Sequence, residues 1–196
     1  ILLVWFIIRS SSQATRRDWS RYTEIASMVE TTGWSTGLSE LMELAGKTDD
    51  SALAMRILGQ CGQEGLRLAI EAKEDAEAKA FTDQAEQAFT LLRDEYGKTK
   101  ALARGVAICG LATVAENRFA LTGDASQKDV AKRYLEQVAN DPELNATPMK
   151  NQAITRLTTL DEVFKPVAFA PPLPKPEPPK AEAEGDAAAD PGAAAK

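Results

Sequence analysis

Residues 59–92 read GQCGQEGLRLAIEAKEDAEAKAFTDQAEQAFTLL, and this stretch decides the fold. Apolar side chains recur every three or four residues: Leu58, Cys61, Leu66 and Ile70 first, then Ala80, Phe81, Ala85, Ala88, Phe89 and Leu92. That spacing is the period of a helix that buries one face, not of a strand. Glu74 and Asp75 fall in the polar turn between the two segments. Gly59, Gly62 and Gly65 are spaced three apart inside the first. Each costs about 1 kcal/mol against alanine in a helix, so together they predict a face that a second helix approaches closely. A phosphate-loop reading fails, because such a loop sets its glycines between a strand and a helix, and no strand is predicted here.

The same period extends in both directions. Towards the N-terminus, Trp19, Tyr22, Ile25, Ala26 and Val29 form a stripe interrupted at Thr31-Thr32-Gly33. Leu38, Leu41, Met42 and Ala45 form the next, with Gly46 predicted to close it and Asp49-Asp50-Ser51 to cap the helix that carries Leu53 and Ile57. Towards the C-terminus, the fourth helix spans roughly 76–96 and ends at Gly97. A fifth, roughly 102–121, carries Val106, Ile108, Cys109, Leu111, Ala112, Ala115 and Phe119 and stops at Gly123. Ser126 and Asp129 predict a capping box for a sixth helix, which presents Val130, Ala131, Tyr134, Leu135 and Val138. Asn140-Asp141-Pro142 breaks the chain, and Thr147-Pro148 starts a last helix ending near Phe164.

The fold class is therefore all-α, with a helical domain over 18–164. Residues 165–196 differ in kind. All of the ten prolines except Pro142 and Pro148 lie there, with almost no large apolar residue after Leu173. Such a segment buries too little apolar surface to offset the entropy of ordering it, and a disordered Pro/Ala/Glu-rich tail is expected.

Residues 1–17 open on the apolar run Ile1–Ile8 and turn basic at Arg9, Arg16 and Arg17. The run fits the end of a membrane-spanning helix, the end of a cleaved signal peptide, or a core strand. A spanning helix takes about 20 apolar residues. Arg9-Ser10-Ser11-Ser12 is a poor cleavage site, and a strand would stand alone in a helical chain, so the membrane-helix reading is preferred. Taken alone, the three arginines would set the following domain in the cytoplasm.

Chemistry is largely excluded. The chain has no histidine, which removes the commonest general base and metal ligand. Cys61 and Cys109 lie in helical stripes with no CxxC pair, so they read as small core residues, with a disulfide between neighbouring helices as the alternative. The carboxylate pairs Asp49-Asp50 and Glu74-Asp75 fall in polar turns, where nothing raises a pKa for acid catalysis. Glu64 and Glu116 sit on small-residue helix faces and read as solvated or ion-paired. No catalytic, cofactor-binding or metal-ligating residue is assigned, and an enzyme is not expected. The net charge of −6 is spread without a basic stripe, which argues against nucleic acid.

Two segments share an order of parts: Leu58-Gly59 followed by Ala85 and Phe89, and Leu111-Ala112 followed by Ala131 and Leu135. At these residues the chain resembles a tetratricopeptide repeat (TPR), whose first helix carries Leu-Gly and whose second carries Ala and then an aromatic. The hairpins are longer than that repeat and lack its first-helix Trp and Tyr. With the apolar N-terminus running into Trp19 and Tyr22, the layout over 1–163 looks like the single-pass YfgM-type TPR-like proteins of bacterial inner membranes. That resemblance implies hairpins stacked as a solenoid, a cytoplasmic N-terminus and a periplasmic helical domain. The partners it implies are envelope or protein-export proteins. The orientation is opposite to the one the arginines give alone. The function expected is a membrane-anchored scaffold or chaperone-like factor that binds proteins or peptides, with a self-associating envelope component as the alternative.

Overall fold

The computed structural model describes the backbone of residues 2–165 and the side chains of 13–165; the Pro/Ala-rich tail from Pro166 lies outside the described residues. Among them the fold is all-α, with no strand. The helices are α1 (Leu2–Thr32), α2 (Trp34–Lys47), α3 (Ser51–Glu71), α4 (Asp75–Leu91), α5 (Ala101–Thr122), α6 (Ser126–Asn140) and α7 (Pro148–Val163). A π-helical turn, Leu92–Tyr96, extends α4, and a short 3₁₀ turn, Pro142–Leu144, precedes α7.

Helix α1 runs without interruption across the expected border at 17/18. The change in composition there does not stop it, because neither Pro, which breaks a helix, nor Gly, which weakens one, falls between Leu2 and Thr32. The run from Leu2 to Ile8 forms its first two turns. Among the described residues no helix is long and apolar enough to cross a membrane. Gly33, at φ +90°, makes the single-residue turn into α2.

Several ends differ from the expected ones. Gly46 lies inside α2, which continues to Lys47. Asp50 does cap α3: its carboxylate accepts the Ala52 and Leu53 N–H groups at 2.9 and 3.1 Å. Gly97 follows the π turn with helical φ (−63°) rather than a left-handed one, whereas Gly123 closes α5 at φ +69°. The predicted Ser126–Asp129 box gives way to Asp124, whose carboxylate takes both the N–H and the hydroxyl of Ser126. Thr147 precedes Pro148 as expected, but its hydroxyl donates back to the Leu144 carbonyl instead of capping α7.

The three-residue link between α3 and α4 turns α4 back along α3, and each helix packs on the next in sequence. Beyond that, α3 packs on α5 and α5 on α7, so these three lie side by side with α4 and α6 behind them. The predicted repeat positions are buried except Gly59, which is half-buried: Leu58, Ala85 and Phe89 in one hairpin, Leu111, Ala112, Ala131 and Leu135 in the other. Leu41, Leu53 and Ile57 fill the core between α2 and α3, and fully burying such a side chain contributes about 1.5–3 kcal/mol. Three expected stripe members fall outside, the first being Trp19, 36% exposed. Ile70 is 74% exposed and Ala80 faces solvent, while Ala78 and Thr82 occupy the buried face of α4.

Close approach of a second helix is realised at two of the three α3 glycines; at Gly59 the nearest atom to an added Cβ is a Leu92 methyl at 4.0 Å. A Cβ on Gly62 would lie 2.5 Å from the Phe89 ring, and one on Gly65 would lie 3.1 Å from the Ala85 Cβ. On α5, Gly110 meets the same ring from the other side, at 2.5 Å. Phe89 of α4 is thus driven between α3 and α5 as a wedge, and its ring reaches through to the face those helices share with α7.

Candidate functional site

That shared face carries an open cleft of about 270 Å³ lined by residues from three helices and the wedge. Leu66, Phe89, Val106, Cys109 and Met149 supply an apolar floor. Met149 is drawn in because Gly105 carries no side chain: a Cβ there would stand 3.1 Å from the methionine sulfur. Gln63 on α3 and Gln152 on α7 are exposed and stand on the walls to either side of α5.

One charged side chain lines this cleft, Arg156 on α7. Its guanidinium donates to Glu116 Oε1 at 2.8 Å, to Thr113 Oγ1 at 3.0 Å and to the Cys109 carbonyl at 3.4 Å. The two charges are about one-fifth exposed. The pair therefore ties α7 to α5 and cancels its own charge. Cys109 is half-buried, and burial raises its thiol pKa while Arg156 draws it back down. At neutral pH it is a neutral, weakly polar wall atom, not an activated nucleophile.

The residues singled out in the sequence do not converge here. Cys61 is buried in the α2–α3 core, its thiol pushed up to about 12 by burial first and Glu64 second. It is free, as is Cys109. Glu64 pairs with Arg67 at 2.7 Å on the surface of α3; of the acids considered, Glu116 alone reaches the cleft, through Arg156. Asp50 is committed to capping α3 and to the Trp19 indole N–H at 2.9 Å. Glu74 is exposed, and Asp75 borders a second cleft of about 490 Å³ between α4, α5 and α6. There Arg118 bonds Asp83 and Glu86, while Lys79, the other cation lining that cleft, is exposed.

Sequence reasoning missed Gln63, Thr113, Gln152 and Arg156, because they come together only across three helices. The available signal was Gly105 and Gly110 on α5, which echo the glycines of α3. Among the described residues no group of three or more Cys, Asp or Glu side chains is placed to hold a metal ion. No family model, curated protein or solved structure matches the chain.

Proposed function

We propose that this chain is a protein-binding scaffold whose α3–α5–α7 face receives a segment of another protein. The observation that carries the reading is the cleft: apolar on its floor, bordered by uncommitted amides, and built from helices that pack side by side. Drug-sized ligands usually occupy enclosed pockets of roughly 300–1,000 Å³. An open groove of about 270 Å³ suits a few residues of polypeptide better than a cofactor.

The repeated order of large and small residues and the packing of α3 on α5 and α5 on α7 support a TPR-like solenoid, in which each hairpin leaves a face for the next. The resemblance to YfgM-type proteins supports the rest: tethering to a bacterial inner membrane through the N-terminal apolar segment, with the helical domain in the periplasm near envelope or export proteins. The apolar run at 1–8 and the arginines that follow it are the residues on which the tether rests.

The test is co-purification from detergent-solubilised membranes. A reproducible partner is expected with the native chain, and it is lost from a Gln63→Arg/Gln152→Arg variant that fills the groove with charge. Recovery of no reproducible partner, or equal recovery with both chains, contradicts the proposal.

A further inference from the structure

Resting on that reading, we infer that the groove selects an uncharged, extended segment and holds it by its backbone through the side-chain amides of Gln63 and Gln152. Three observations lead there. The first is charge. In a chain of net charge −6, Arg156 is the one charged side chain lining the groove. It is satisfied by Glu116, Thr113 and the Cys109 carbonyl. An acidic segment finds the guanidinium already taken, and a basic one finds Glu116 taken. Neither gains an ion pair from the groove, and a charge seated on its apolar floor would be desolvated without a partner, which is costly.

The second is the placement of the amides. Gln63 and Gln152 rise from α3 and α7 on opposite sides of α5, and among the described residues neither side chain is hydrogen-bonded to another protein group. A primary amide carries both a donor and an acceptor, the complement of a peptide group, and it serves any sequence because it reads the backbone. The third is the floor. Leu66, Phe89, Val106 and Met149 offer apolar surface, and Met adapts its shape to different side chains. Alternate residues of an extended segment point to opposite faces, so one apolar side chain would settle on this floor while its neighbours face solvent.

The experiment uses the full chain in detergent and three sets of fluorescein-labelled, end-capped octapeptides of matched length: uncharged (Ala, Val, Leu, Ser), Asp/Glu-containing and Lys/Arg-containing. Fluorescence polarisation is expected to show the uncharged set binding at least tenfold tighter. Its affinity should change less than twofold between 50 and 500 mM NaCl, because no charge pair is there to be screened. Gln63→Ala/Gln152→Ala, at two exposed helical sites, is expected to weaken binding about tenfold, two lost hydrogen bonds. Methylating the central peptide nitrogens should weaken binding to the native chain and have little further effect on that variant. Tighter binding of a charged set, or an unchanged affinity in the double variant, overturns the inference while leaving the scaffold reading intact. Failure of every set to bind also overturns the inference, and the absence of any co-purifying partner as well removes both.

Discussion

Phe89 and Gly110 are matched to each other: a Cβ on Gly110 would stand 2.5 Å from three atoms of the Phe89 ring. Gly62 holds the opposite face of the ring at nearly the same distance, so the ring has no side to move to. One residue of the rear layer thereby sets the spacing of α3 and α5 and completes the floor of the groove between them.

Gly110→Ala should be destabilising although alanine is the better helix former. Overpacking costs about 1–3 kcal/mol, against about 1 kcal/mol gained in propensity. Gly46→Ala is the control. It lies inside α2 with nothing within 4 Å of a new Cβ, so it should raise stability by up to about 1 kcal/mol. Urea midpoints at unchanged m-value check both. Phe89→Leu combined with Gly110→Ala should cost less than the sum of the two single changes, since the smaller side chain relieves the contact. Strict additivity would show that the ring and the glycine do not press on each other.

Cys61 gives a prediction at alkaline pH. Burial keeps its thiol neutral, with a pKa of about 12 against an ordinary 9.0. A raised pKa means the folded chain holds a proton that the unfolded chain releases. The associated stability is complete below about pH 9 and declines as the pH climbs towards 12. Urea unfolding from pH 8 to 10.5 should show this decline in the native chain and a shallower one in Cys61→Ala. At pH 8 a thiol reagent should label Cys109 first and reach Cys61 only through opening of the fold. Rapid, equal labelling would contradict the burial argument.

Asp50 joins two elements. Its carboxyl is held below the usual range by the Trp19 indole N–H, then by the Leu53 and Ala52 backbone N–H groups. A depressed pKa means this contribution is present above about pH 4 and is lost as the pH falls below it. Asp50→Ala should cost about 1 kcal/mol at pH 7 and measurably less at pH 2.5. An equal cost at both values would show that the charge of Asp50 is not what caps α3.

The helices were legible in the sequence because each buries a single stripe, and the buried Leu58, Phe89, Leu111 and Leu135 are read directly from the three-and-four spacing. Helix ends were less so. Gly46 has the residue type of a stop, but the chain goes on to Lys47 because glycine permits a turn without requiring one. Asp124 displaced Ser126 as the cap, since either polar residue can serve and the backbone decides. Ile70 follows the stripe of α3 yet is exposed, while its neighbour Ala69 takes the buried position in that last turn. The groove was the least legible. Gln63, Thr113 and Gln152 are surface-type residues far apart in sequence, and only the packing of α3, α5 and α7 makes them neighbours.

Site-specific photocrosslinking in cells tests the central claim most directly. A benzophenone side chain is placed at Gln152 in the groove and, separately, at exposed Thr158 farther along the same helix. The account predicts a discrete protein adduct from position 152 and none from 158. Adducts from 158 alone, or equal adducts from both, would contradict a binding surface between α3, α5 and α7.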